Sequence, residues 1–253
     1  DCYVVSGDDC VAVKSGWDQY GIAVGLPTRR LWIQRLTCVS PTSAVVALGS
    51  EMSGGIGDLW AEDVVAVGTE SAIRIKTAPG RGGYVENVHV RRFRLHTMKM
   101  VFWITSDYKS HPDGGYNPKA LPRVRNINYR DVVAENATMA GRLEGIPGDE
   151  FTGLCLANVT IGMAAKARKQ PWTCSAVQGV SSGVTPCRRA PLLADKGQGV
   201  HEGLRFPGEI PADQHLRAAP VLRRMDGFLN GEPPHQAGGG RLSGKELKHS
   251  AVC

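Results

Sequence analysis

Three short segments hold residues able to do chemistry together: Ser6-Gly7-Asp8-Asp9-Cys10, Gly49-Ser50-Glu51-Met52-Ser53-Gly54-Gly55 and Arg74-Ile75-Lys76. A pair of carboxyl groups can divide the work of glycosidic hydrolysis, one protonating the leaving oxygen and the other activating water. An arginine and a lysine two residues apart can bind an anionic sugar by its own carboxylate. The arginine does so through a bidentate fork and the lysine as a point charge. Together they point to hydrolysis of a polymer of anionic sugars. Each segment also has an ordinary reading: Gly-Asp-Asp is a frequent turn, Arg-Ile-Lys a frequent solvated strand face, and Gly54-Gly55 more often a turn than a ligand loop. On a regular strand Asp8 and Asp9 would face opposite ways, so joint action requires a bend there.

A repeat connects the segments. The pattern apolar, any, apolar, any, Ser or Thr occurs at 11–15, 46–50, 73–77 and 102–106, at offsets of 35, 27 and 29 residues. A second set runs between them: Leu31-Trp32-Ile33, Leu59-Trp60-Ala61, Val88-His89-Val90, Ile127-Asn128-Tyr129 and Val159-Thr160-Ile161. Two strand types recurring in step about every 30 residues mark a solenoid. With short strands, uneven loops and no amphipathic helical stretch between them, the prediction is an all-β, right-handed, single-stranded parallel β-helix. A β-propeller needs four strands in each ~40-residue blade, and leucine-rich repeats need regular Leu and Asn ladders; neither is present. Coils stack at ~4.8 Å, which places Asp8 and Asp9 about 10 Å along the axis from Arg74 and Lys76. Outward residues of successive coils can then line one groove, a geometry suited to a linear polymer.

Composition narrows the alternatives. The chain has 253 residues, a formal net charge of +6, 42% hydrophobic and 21% charged residues, which excludes a wholly disordered chain. No apolar run approaches the ~20 residues of a transmembrane helix, so no membrane partner is expected. Near residue 190 the composition changes: 16 of the 63 residues in 191–253 are Gly or Pro, and only four are β-branched aliphatics. The predicted organisation is a β-helix over 1–190 and a disordered tail over 191–253, with one short helix around 218–225. The tail carries +1 and the first 190 residues +5, so an acidic polymer would meet the β-helix. Basic clusters interleaved with aromatics are missing, which argues against nucleic acid. The seven cysteines (2, 10, 38, 155, 174, 187 and 253) form no CxxC pair, so no metal or other cofactor is expected. With the sequons at Asn136 and Asn158 they point to a secreted glycoprotein. The chain lacks an initiator Met and opens inside a strand pattern, so an N-terminally truncated product is expected.

The segments at 6–16, 49–55 and 74–77 (Ser-Gly-Asp-Asp-Cys-Val-Ala-Val-Lys-Ser-Gly, Gly-Ser-Glu-Met-Ser-Gly-Gly and Arg-Ile-Lys-Thr) resemble the polygalacturonase family, glycoside hydrolase family 28. Within it they are most similar to the plant members. The resemblance covers about residues 1–190, through Trp172-Thr173-Cys174 and Pro186-Cys187. It implies a secreted, pectin-lyase-like solenoid of the cell wall, read as a monomer, whose partner is pectin and which hydrolyses α-1,4-galacturonosyl links with inversion. It places the general acid on Asp8 and a water-holding carboxylate on Asp9. Arg74 and Lys76 would bind the galacturonate carboxylate, and the family's active-site tyrosine falls on Tyr108. It also implies a Cys10–Cys38 disulfide. Cys174 and Cys187 can close the C-terminal loop with Cys155 competing, while Cys2 and Cys253 are read as unpaired.

Two departures stand out. The family's Asn-Thr-Asp motif would precede residue 1, and its Gly-His-Gly motif falls near Ser43-Ala44-Val45, which has no histidine. Some plant members look similar at the second motif, so the missing histidine does not by itself imply lost activity; loss of the upstream coils uncovers a sheet end and removes a carboxylate. On that ground this chain by itself is expected to have little or no hydrolase activity, and a non-catalytic pectin-binding β-helix is the alternative. Trp17 and Tyr20 have two readings, stacking on sugar rings or packing. His89, His96 and His111 are assigned no role.

Overall fold

The computed structural model describes residues 1–186, with the backbone of 193–194 and 249–252. The chain runs through β1 (Cys2–Ser6), β2 (Val11–Val13), α1 (Asp18–Val24), β3 (Thr28–Gln34), β4 (Leu36–Val39) and β5 (Ala44–Gly49). It continues through β6 (Ile56–Lys76), β7 (Tyr84–Thr105), β8 (Arg123–Glu144), β9 (Phe151–Met163), β10 (Trp172–Ser175), β11 (Val177–Thr185), β12 (Leu193–Ala194) and β13 (His249–Val252). Strand pairing is parallel throughout, except where β13 lies antiparallel to β1. The architecture is the predicted right-handed parallel β-helix. The proposed boundary near 190, the disordered tail and the short helix at 218–225 lie outside the described residues, apart from β12 and β13.

Each coil has three faces. The first stacks Val11, Val46, Ile73, Phe102, Gly141 and Trp172 in register, as the first repeat pattern requires. The second stacks Leu31, Leu59, Val88, Ile127 and Leu154. Here the structure corrects the sequence reading. Val159-Thr160-Ile161 is not the fifth member of that set; Val159 belongs to a third ladder with Val64, Phe93 and Val132. That third face had no repeat pattern assigned to it, because it runs on from the second within the long strands β6, β7, β8 and β9.

What turns one long strand round three faces is a left-handed residue at regular intervals. Asp58, Asp63 and Gly68 in β6 have positive φ, as do Asn87, Arg92 and Thr97 in β7, and Asn126, Asp131 and Asn136 in β8. The spacing is five residues in every case. Asn and Asp tolerate this conformation best among non-glycine residues, and stacking lets them bond between coils. Asn126 donates to Asn87 at 2.7 Å, Asn87 to Asp58 at 2.9 Å, and Asn158 to Asp131 at 2.6 Å. Both sequon asparagines, Asn136 and Asn158, thus have a conformational reason to be asparagine.

Inward residues form the core. Val46, Leu48, Val88, Phe102, Ile104, Ile127, Val132 and Leu154 are fully buried. Gly141 sits opposite Phe102, and the Trp172 ring occupies the space a side chain there would need, 2.4 Å from the position of a Cβ.

The cysteine readings divide. Cys10 and Cys38 are bridged, with Cα atoms 6.2 Å apart and a sequence separation of 28. Cys2 is disulfide-bonded too, which corrects its reading as unpaired; its partner lies outside the described residues. Cys155 and Cys174 are both free thiols, so neither the Cys174 closure nor the competing Cys155 pairing forms. Cys174 follows the inward row of the first face, in register with Leu143, whereas Cys155 alternates outward between buried Leu154 and Leu156 on the second. Burial pushes the Cys174 thiol up to about 12. Replacing Cys10 and Cys38 by serine is expected to cost about 2–4 kcal/mol in urea unfolding, the range typical of a closed loop. An unchanged midpoint would show that the bridge adds nothing.

Candidate functional site

The first face becomes a site because its outward residues change character along the axis. One outward row runs Ala12, Ala47, Arg74, Trp103, Arg142, and the next runs Gly49, Lys76, Thr105. The early coils contribute small residues and leave a floor; the third contributes two long cations. Gly49 has φ +87° and a Cβ there would lie 2.4 Å from the Lys76 carbonyl oxygen, so the floor must be glycine at that point.

The carboxylates come from the connection between β1 and β2, where the backbone bends at residues 7, 8 and 10. This is the bend that the sequence required. The Asp8 N–H donates to Ser6 Oγ at 3.0 Å, and Ser40 Oγ donates to the Asp8 carbonyl at 2.6 Å. Asp8 Oδ1 accepts the Asp9 N–H at 2.8 Å, and the side chain is exposed. Asp9 turns the other way, into the wall. It is 8% exposed, and its Oδ1 accepts Ser43 Oγ at 2.5 Å and the Ala44 N–H at 3.1 Å. Its Oδ2 accepts Lys76 Nζ at 2.9 Å.

Lys76 therefore spans two coils over the small floor to reach Asp9. Burial alone pushes the Asp9 carboxyl up, but the Ser43 hydroxyl, the Lys76 ammonium and the Ala44 N–H outweigh it and hold it below the usual carboxylate range. An ammonium has three donors, so pairing with Asp9 leaves Lys76 two. Ser43 and Ala44 occupy the place where the family's Gly-His-Gly motif was expected, and here that segment supplies two donors to Asp9.

Arg74 lies with its guanidinium carbon 3.8 Å from the Trp103 ring centroid and NH1 3.3 Å from Glu70 Oε2. The Tyr108 ring stands 5.9 Å from Arg74 and 5.7 Å from Lys76. Asp8, Asp9, Lys76, Tyr108 and Arg74 thus form one connected cluster. Glu51 joins it from the floor loop, ion-paired with Lys14, and close enough to Lys76 to feel its charge. Burial pushes the Glu51 carboxyl up, while Lys14, its own backbone N–H and Lys76 bring it below the usual range.

Three residues escaped the sequence reading. Trp103 was legible in principle, since the repeat register sets it beside Arg74 and the alternation sets it outward. Ser43 carried no signal beyond the missing histidine. Glu70 carried none at all; it steadies Arg74 and is paired with Lys99 at 2.7 Å. The half-buried Trp17 ring stands 5.9 Å from the Arg81 guanidinium, while Tyr20 is 57% exposed and donates to Asp113 at 2.6 Å. His111, given no role, is 2.5 Å from Asp18. Among the described residues no group of three or more His, Cys, Asp or Glu is placed to hold a metal ion, and no helix is long and apolar enough to cross a membrane.

A probable polygalacturonase of Vitis vinifera is 62% identical over 214 residues, covering 84% of this chain and 43% of that protein. Polygalacturonase-2 of Solanum lycopersicum is 22% identical over 142 residues, 54% of this chain and 28% of the relative. A hyperthermoactive exopolygalacturonase from Thermotoga maritima superposes with a TM-score of 0.57 at 28% identity, over 70% of this chain and 40% of that one. The chain spans less than half the length of each of these relatives. The family profile of glycosyl hydrolases family 28 matches residues 1–185, the stretch that builds the coils, the carboxylate pair and the cation pair. The chain belongs to glycosyl hydrolases family 28.

Proposed function

We propose that the complete protein is a secreted, cell-wall polygalacturonase that hydrolyses α-1,4-galacturonosyl links of pectin with inversion, acting as a monomer without a cofactor. The observation that carries this reading is the reach of Lys76 across two coils to Asp9, with Asp8 left exposed beside it. Two adjacent carboxyl groups thereby acquire different environments, which is how one carboxyl is set apart as acid and another as base. Asp9, held ionised, would orient the attacking water. Asp8, open to the groove, would protonate the leaving oxygen. Arg74, the spare donors of Lys76 and the Tyr108 ring would seat a galacturonate unit and its carboxylate.

The test is release of reducing ends from polygalacturonate by the full-length polypeptide, with the anomer of the first product followed by NMR. Release of the β-anomer from the α-linked polymer supports the reading, and retention or no release overturns it. The 253 residues alone are expected to release product far more slowly, since they match less than half the length of each relative. A second reading, a pectin-binding protein without turnover, rests on the resemblance, which would put the family's Gly-His-Gly near Ser43-Ala44-Val45, a segment without histidine. Binding of polygalacturonate by the full-length protein with no product would establish it.

A further inference from the structure

A buried charge cluster outside the reacting carboxylates ties the start of α1 to two connections. Arg81 lies in the connection after β6, Asp18 at the start of α1, and His111 in the long connection 106–122 between β7 and β8. Arg81 and Asp18 are fully buried. Arg81 NH1 donates to Asp18 Oδ1 at 2.5 Å, and His111 Nδ1 lies 2.5 Å from Asp18 Oδ2, so the carboxylate takes one partner on each oxygen. Asp18 adopts φ +46° there, the left-handed conformation that aspartate tolerates better than most residues. The His111 ring is stacked on Tyr116 at 3.6 Å. Further out, Gln19 and Tyr20 of α1 both donate to Asp113, at 2.8 and 2.6 Å.

The other terminal nitrogen of Arg81 does something different. NH2 donates to the carbonyl of Tyr108 at 3.1 Å and to that of Ser110. The N–H of Tyr108 in turn donates to the Thr77 carbonyl at 3.0 Å. Both peptide groups of Tyr108 are therefore fixed, one by the strand end that carries Arg74 and Lys76 and the other by Arg81. Glycine at 82 and 83 lets the Arg81 turn pass close by: a Cβ at Gly83 would lie 2.6 Å from the carbonyl oxygens of Met52 and Ser53.

We propose that Arg81 is a positioning residue of the site: its guanidinium, anchored by Asp18 and His111, clamps the 108–110 backbone and so sets the Tyr108 ring against Arg74 and Lys76. A fully buried guanidinium is costly to desolvate, and a single carboxylate would satisfy its charge. Its second nitrogen is spent on two carbonyls that flank one exposed residue, Lys109, and a main-chain clamp of that kind fixes where the neighbouring side chain can stand. The proposal rests on the reading that the Tyr108 ring contacts the sugar, and the test separates the two.

The Lys109–Ser110 peptide bond lies between the clamped carbonyls, so trypsin cleavage at Lys109 reports the clamp without any activity. In the full-length protein, Arg81→Gln should raise the initial cleavage rate at Lys109 by about tenfold or more, as expected when a segment is released from a local native contact. Because Arg81→Gln leaves Asp18 buried with only His111 against it, Asp18→Asn/Arg81→Gln is measured beside it. It removes the same carbonyl bonds with no buried carboxylate left over. The positioning role is read by the Kd for an oligogalacturonate: Tyr108→Ala and the Arg81 variants should each weaken it, and the combination should weaken it no further, the signature of residues acting as a unit. Unchanged cleavage at Lys109 in both Arg81 variants overturns the clamp. Fast cleavage with an unchanged Kd, or additive losses with Tyr108→Ala, overturns positioning. If the parent protein binds no oligogalacturonate, the functional reading falls and positioning with it, while the cleavage rates still decide whether the clamp exists.

Discussion

Asp8→Asn in the full-length polypeptide is expected to lower kcat on polygalacturonate by roughly 10²–10⁴-fold, the range that general acid catalysis supplies, while KM changes little. The two aspartates are neighbours in sequence and opposites in surroundings, and the expectation follows from that contrast. Asp8 is exposed, one oxygen accepting the Asp9 N–H at 2.8 Å, and its backbone is pinned on both sides by Ser6 and Ser40. The bend that aims it is therefore made by main-chain bonds which an amide at position 8 leaves in place. Asparagine is nearly isosteric and its Oδ1 still accepts the Asp9 N–H, but it has no proton to give a leaving oxygen. A loss confined to kcat is what removal of a transition-state proton donor produces. A kcat within threefold of the parent would remove Asp8 from the reaction and leave Glu51, the remaining carboxylate beside Lys76, to be examined for the role. Equal losses of kcat and affinity would instead make Asp8 a binding group.

The fold was legible from the sequence because a parallel β-helix writes itself as recurrence: Val11, Val46, Ile73 and Phe102 really do stack. Recurrence misled where two ladders have similar residues. Val159-Thr160-Ile161 looks like Val88-His89-Val90, yet it lies one face further round, and only the corner at Asn158 reveals it. The five-residue spacing of Asp58 and Asp63, or of Asn126, Asp131 and Asn136, is the physical signal that would have placed it. In the site, position in the repeat was enough to bring Asp9 and Lys76 together, since two coils at the strand spacing lie within reach of a lysine. What the repeat does not encode is the choice of partner. That Lys76 meets Asp9, that Ser43 adds a second donor, and that Arg74 is held by Glu70 and Trp103 depend on side-chain geometry between coils. The Asp18–Arg81–His111 cluster was invisible for the same reason: its members lie at the start of α1 and in two connections of unrelated length, 93 residues apart at the extremes.

Lys76→Met tests whether the Asp9–Lys76 pair supports the fold as well as the site. Both side chains are less than a tenth exposed, so the variant leaves Asp9 in the wall with Ser43 and Ala44 as its only partners. Breaking a buried pair on one side typically costs about 3–5 kcal/mol, whereas replacing both members costs far less. Lys76→Met is accordingly expected to lose about 3 kcal/mol in urea unfolding at pH 7, and Asp9→Asn/Lys76→Met about 1 kcal/mol or less. The pH dependence gives the sign independently. In the parent the folded-state pKa of Asp9 is depressed, so its contribution to stability is present above the unfolded pKa and is lost as pH falls through the folded value. In Lys76→Met the cation is gone while burial, which acts to raise the pKa, and the Ser43 and Ala44 donors, which lower it, remain; the folded-state pKa of Asp9 is then less depressed than in the parent. The parent loses more stability on acidification than the variant, so the gap between them should close as pH falls below the ordinary aspartate range. A gap that stays constant with pH would mean that the methionine substitution acts through packing, and that the ion pair contributes nothing to the stability of the site wall.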